Sequence, residues 1–525
     1  MSSHETAPLP ARPVGPGADE RGFTMIIALG VMFVTSLLLV AGFAIANGDT
    51  HQSRRDTAQK QAYYAALAGV QEYEYRLQSN PDYWATCEEP ASTLPGEAGA
   101  RYEIKLLVAS SAPKGTTKCE TANPFASMVE SKGAVANTLR IESTGCAGMA
   151  GLTSCAGQPV STVATRTIVA TFRGVNFLNY VYYTNFETED PGLYSAPAGC
   201  EGAYYKEWSA KGLKCSSIVF TSGDSVEGPM HTNDAARVEG TAEFGRSGHE
   251  PPDAVEINGE TYPSAACGGG PTYYTKSGCY EKGPTLTPPE SDASLRAYAE
   301  AEDKFTGVTR VVLNGSTISV TNEGKTKSIA WPKNGLIYVQ SNPEKACGYT
   351  YESENSDNSE EEKNETNCGN VYVEGNYAKS LTIAGENDVI INGNTYPTGV
   401  TLGNAPTGLS VLGLIASHYV RIYHPCSGGS NEKGSLENPW IYAGMLSTSH
   451  SFVVDNHNCG RALGELHIYG AVAQDYRGIV GLVGGSGYLK DYKYDERLAT
   501  DAPPHFLSPI KAGWKIGRET SPSAG

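Results

Sequence analysis

From Phe23 to Ala46 the chain reads FTMIIALGVMFVTSLLLVAGFAIA and carries no charged residue. At ~1.5 Å rise per residue a helix of that length covers about 36 Å, enough for a ~30 Å hydrocarbon core with some tilt. A core helix of a globular protein shows one apolar stripe, whereas this run is apolar all round. The pattern predicts a membrane span over 23–46, so the rest of the chain has to fold with one end at a bilayer.

The flanks of the run extend this reading. Within Gly48 to Asn80, Ala58, Ala62, Ala65, Gly69, Tyr73 and Leu77 recur at helical spacing as one stripe. Span and stripe together predict one long helix over 23–80. Residues 1–22 are rich in Pro and Gly, with no periodic apolar pattern. They read as a disordered cytoplasmic leader, removed on maturation.

Two motifs carry a family resemblance. Glu20-Arg21-Gly22 followed by Phe23-Thr24 resembles the leader junction of type IV prepilins, which a prepilin peptidase cuts after the Gly before methylating the new N-terminal Phe. The resemblance assigns those roles to Gly22 and Phe23. Ala62-Tyr-Tyr-Ala-Ala-Leu-Ala-Gly-Val70 resembles the segment after the membrane helix in minor pilins with a PilX-like N-terminal region. Ile27 and Leu67 stand where those families commonly have Glu. What the resemblance implies is a minor component of a type IV pilus or related assembly, packed against other pilin subunits through the N-terminal helix. It covers about the first third of the chain.

Charge and cysteine usage fit an exported protein. The formal net charge is −17, which argues against a nucleic-acid surface and for solubility outside the membrane. All twelve cysteines follow the apolar run and none has C-x-x-C spacing, so they read as disulfides on the oxidising side. Sequence alone leaves connectivity open. The simplest pairing closes local loops: Cys87 with Cys119, Cys146 with Cys155, Cys200 with Cys215, Cys267 with Cys279, Cys347 with Cys368, and Cys426 with Cys459. Arg54, Arg55 and Lys60 after the span, against Arg12 and Arg21 before it, would favour an inward C-terminus. The cysteines and the leader junction argue for an outward one.

Arg101–Val108, Asn137–Ser143 and Ser161–Arg173 alternate apolar and polar residues, the pattern of a half-buried antiparallel sheet. They predict a small pilin-like domain over 81–174, its sheet packed on the second half of the helix. From 175 to 525, short β-branched runs are punctuated by Gly and Asn, with turns at Asn258-Gly, Asn314-Gly and Asn392-Gly. Leu409 to Tyr423 is apolar on both alternations, which predicts a strand buried on both faces. A right-handed parallel β-helix accounts for this best, and a multi-sheet sandwich is the alternative. The fold class expected is therefore α+β. Ser291–Lys304 reads as the one helix of this region.

Candidate chemistry is thin. His450, Asp455, His457 and Cys459 could gather a metal, although a loop stapled by Cys459 explains them more simply. Asp475 with Arg477, and Asp491, Lys493, Asp495 and Arg497, would be the groove residues of a glycan-active β-helix hydrolase or lyase. Surface ion pairs are the commoner reason for such spacing. Glu352–Glu365 is strongly acidic but lacks EF-hand spacing. No cofactor or metal is expected. The expected partners are the membrane, the peptidase, other pilin subunits and a surface ligand such as a host glycan or protein. The chain reads as a non-enzymatic surface protein whose β-rich region faces outward for adhesion or contact.

Overall fold

The structure is a computed structural model. It describes residues 23–520 except 81–82, 95–98, 122–123, 131–137, 149–150, 160–161, 195, 264–266, 349–350, 352–364 and 510–513. The expected leader with Gly22, and the acidic stretch before Glu365, lie outside the described residues. The chain divides into two compact units. One ends its helical part at Gly69 and adds Ala91–Glu103 and Thr144–Thr167; the other holds Val70–Pro90, Ile104–Ser143 and Ile168 onward.

One helix runs from Phe23 to Ser79. Its first part, Met25–Phe43, has a mean hydropathy of 2.5 and none of it is buried. In the first unit, Ala62 and Ala65 pack with Ala100 and Ala147. The approach is close enough to require a glycine: a Cβ on Gly145 would stand 2.0 Å from the Ala62 carbonyl oxygen. Ala91–Thr93 pairs antiparallel with Arg101–Glu103.

In the second unit the helix continues through Val70, Tyr73 and Leu77, all fully buried. Tyr73 meets Phe172 with ring centroids 5.9 Å apart and Tyr83 at 5.5 Å. Phe172 belongs to the strand Ala164–Gly174, whose outer neighbour is Trp514–Thr520. The sheet expected from 81–174 alone is therefore completed by a strand from the far end of the chain. That strand could not be assigned from periodicity, because its partner is more than three hundred residues away in sequence.

The remainder is built on two ladders of parallel pairs inside a 21-stranded sheet. The first ladder stacks Lys304–Thr306, Leu336–Gln340, Leu381–Gly385, Leu412–Ala416, Gly444–Ser447 and Ala462–Arg477, then Tyr182–Glu189, Met230–Thr232 and Val255–Ile257. The second stacks Thr309–Gly315, Val371–Tyr377, Val389–Pro397, Trp440–Ile441, Ala462–Arg477 and Gly487–Tyr494, then Ser225–Glu227, Glu243–Phe244 and Thr272–Tyr273. Both ladders break sequence order at one seam, where the last strands of the region dock on its first. An antiparallel hairpin departs from the ladders at Asn314-Gly315, where Gly315 takes φ +66°.

Apolar side chains from both ladders meet in one core containing Val226, Ile337, Val373, Ile383, Ile391, Leu414, Ile422 and Ile468. Two local expectations are corrected. Leu409–Tyr423 is not one strand but two: Leu412–Ala416 lies in the first ladder, and Val420–Ile422 pairs parallel with Val389–Ile391 of the second and, on its other side, with Phe452–Val454. A corner at Ser417-His418-Tyr419 separates them, so both sets of apolar residues are buried by a change of direction. Ser291–Lys304 is not an α-helix but two 3₁₀ turns, Ala293–Ala297 and Ala301–Asp303. Asp292 anchors the segment: Ser417 and Tyr338 donate to its carboxylate at 2.9 and 3.2 Å, and Leu295 and Ala299 fill an apolar cluster beside Tyr338. Tertiary contacts override helix propensity here.

Six disulfides join consecutive cysteines: 87–119, 146–155, 200–215, 267–279, 347–368 and 426–459. Each closes a local loop.

Candidate functional site

The apolar helix is the first candidate surface. Leu38 and Leu39 are 66% and 64% exposed, although such side chains are ordinarily covered. Two hydroxyls of the run are satisfied within the helix. Thr35 donates to the Val31 carbonyl at 2.8 Å and Ser36 to the Met32 carbonyl at 2.7 Å. A helix with its backbone and hydroxyl groups paired internally is what a hydrocarbon solvent requires. Phe23 is its first residue.

The second candidate is a polar cluster at the seam. Strand Tyr182–Glu189 ends at Asp190, which is fully buried, and Gly192 N–H caps its carboxylate at 2.8 Å. Ser451 donates to the same carboxylate at 2.8 Å, and Nδ1 of His450 lies 3.1 Å from both of its oxygens. Tyr419 stacks on His450 with centroids 4.6 Å apart. Burial lowers the affinity of His450 for a proton, but the hydrogen bond and charge of Asp190 outweigh it, and its pKa is raised. Asp475 receives a hydrogen bond from Asn185 at 2.8 Å. Burial pushes its pKa up to about 6 against that bond. Asp190 orients His450, and Asp475 is held beside them by its backbone N–H, which donates to the His450 carbonyl at 3.0 Å.

The other expected residues are placed elsewhere. Asp455 pairs with Arg421 at 3.0 Å, Arg421 also pairs with Asp388 at 3.2 Å, and Tyr351 donates to Asp455 at 2.7 Å. His457 is buried, and its pKa is lowered to about 4 by burial and then by His424. Cys459 is bridged to Cys426. The four residues of the metal alternative are thus not gathered, since Asp455 serves a buried arginine and Cys459 serves a loop. Arg477 is buried, pairs with Glu187 at 2.8 Å, donates to the carbonyls of Ile218 and Val219, and lies over Phe220 at 3.6 Å. It ties the seam together and offers nothing to a groove. Asp495 and Arg497 pair at 2.6 Å, and Arg497 donates to the Ser410 carbonyl. Glu365 is buried and accepts from Asn370 and Tyr372.

A cavity of about 530 Å³ lies apart from the His450 cluster and is lined by Glu227, Glu243, Arg246, His249 and Tyr274 among others. Its arginine is held by Asp253 and Glu496, each at 2.6 Å. Sequence reasoning missed Asp190, Asn185 and Asp388. Each stands alone in sequence and acquires its partner only through ladder stacking, so spacing carried no signal.

No protein-family model matches the chain, and neither does any curated protein. Among solved structures, the competence-associated pilin ComZ from Thermus thermophilus aligns over 89% of this chain and 98% of its own at 13% identity, with a TM-score of 0.27. That score is too low to establish a common overall topology.

Proposed function

We propose that this is a membrane-anchored, pilin-type surface protein, a minor component of a type IV pilus or a related assembly. The observation that carries the reading is the single helix Phe23–Ser79, bare and apolar over Met25–Phe43 and packed on β-structure in its second half. The junction at Gly22 and Phe23 and the Ala62–Val70 motif support it. In this reading prepilin peptidase cuts after Gly22, and the apolar segment waits in the membrane and then packs beside other pilin subunits. The ladders form a parallel β-helix, held on the oxidising side by six disulfides, that faces outward for adhesion or contact with a surface ligand. The protein is not an enzyme. The test is to shear fibres from cells and probe for this chain. Wild-type protein should co-purify with pilin subunits and a Gly22→Val variant should remain in the membrane fraction; recovery of both from fibres would defeat the reading.

The Asp190–His450–Asp475 cluster favours a second reading, a glycan-active enzyme on the same anchor. Asp475→Asn decides it: glycan cleavage by the wild type that this change abolishes would establish the enzyme, and no cleavage by either form would remove it.

A further inference from the structure

Strands Ala462–Arg477 and Gly487–Tyr494 run parallel, with His467 opposite Asp491. Leu466 and Ile468 on the first strand and Lys490 and Tyr492 on the second are buried. Side chains alternate along a strand, so Glu465, His467 and Asp491 share the outward face. One donor atom from each of the three lies within 4.8 Å of the others. Asp491 is 2.5 Å from Nδ1 of His467, and Glu465 is 3.8 Å from Nε2. Trp440 stacks flat on the imidazole, with centroids 4.0 Å apart and an interplanar angle of 6°, which fixes the ring plane. Lys493 holds Asp491 at 3.0 Å. The two carboxylates face a single ammonium, that of Lys493.

We propose that Glu465, His467 and Asp491 bind one divalent transition-metal ion of the zinc type. Imidazole with carboxylate suits Zn²⁺, Ni²⁺ or Cu²⁺, whereas Ca²⁺ and Mg²⁺ take all-oxygen sets. Only one ring nitrogen can ligate the ion; Nδ1, which faces Asp491, is that nitrogen, and Glu465, the exposed member beside Nε2, must swing toward it to close the set, leaving a position for water. Lys493 is the built-in competitor, because the ion must draw Asp491 away from it. The anchor reading uses none of these residues, and the enzyme reading names Asp491 and Lys493 as groove residues but gives Glu465 and His467 no role.

The test is calorimetric titration of the full chain in detergent with ZnCl₂, after treatment with chelator. One ion should bind per chain. His467→Ala should weaken binding by roughly tenfold or more, since it removes the only nitrogen ligand. Lys493→Met should tighten it, and excess Ca²⁺ should not compete. Cu²⁺ should quench tryptophan fluorescence in the wild type and much less in Trp440→Phe. Absence of saturable zinc uptake by the wild type would overturn the site, as would unchanged affinity in His467→Ala. Should His467→Ala fail to fold, Glu465→Gln at its exposed position takes its place: weaker zinc binding sustains the proposal and unchanged binding ends it.

Discussion

Leu29, Val34, Leu37, Leu38, Leu39 and Val40 on the helix are each more than half exposed, while Leu381, Ile383, Val389, Ile391, Leu414 and Ile422 in the ladders expose nothing. The residue types are the same and their surroundings are opposite. The ladder residues sit on short strands whose faces are covered by core residues or by packed segments, so the protein can cover them itself. The helix residues point in every direction, and no single packed face can cover them. At roughly 25 cal/mol per Å² of apolar surface, leaving them in water is too costly for a stable fold. The lesson is that the helix is long and apolar enough to suit a solvent other than water. Gly30 and Gly42 fit this, because a Cβ at either would meet nothing within 4 Å, leaving room for a close neighbour.

The contrast can be broken at both ends. The largest effect is expected inside the ladders. Arg421→Ala strands Asp388 and Asp455, both buried, without their counter-ion. Removing one partner of a buried pair costs about 3–5 kcal/mol, so the chain should melt well below wild type or fail to accumulate. Next comes Leu38→Arg, which should leave the melting midpoint of the β-rich part unchanged. It should raise the cost of membrane insertion by about 2.5–3.5 kcal/mol, seen as protein lost from the membrane fraction.

A smaller effect should follow from opening the loop closed by Cys200 and Cys215. Changing both to Ala should cost about 2–4 kcal/mol, read as a lower denaturant midpoint. The smallest concerns pH. Burial pushes Asp292 up to about 7 despite hydrogen bonds from Ser417 and Tyr338. An unfolded Asp titrates near 3.9. The folded state therefore holds a proton that the unfolded state has lost between about pH 4 and 7, and stability falls as pH rises through that window. Asp292→Asn should flatten this slope, as thermal melts at pH 5 and pH 8 would reveal; an unchanged slope would count against the assignment.

The helix was legible because a run without charge and a stripe at helical spacing are local signals. The parallel stacking was partly legible: Leu409–Tyr423 announced burial on both alternations, but nothing local in it marked the corner at Ser417-His418. The seam was not legible at all. Tyr182–Glu189 docks on Ala462–Arg477, and Trp514–Thr520 on Ala164–Gly174, across separations that no window of sequence spans. The polar clusters share that fate, since Asp190 reaches His450, and His467 reaches Asp491, only through the ladders. The expected helix at Ser291 shows the converse: good local propensity lost to a buried carboxylate at Asp292.

The central claim is that Phe23–Ala46 is made for a membrane and retained there. N-terminal sequencing of protein extracted from the membrane tests it most directly. A first residue of Phe23, with the apolar run still attached, is the result the account predicts. A sequence beginning at Met1, or beyond Ala46, would contradict it.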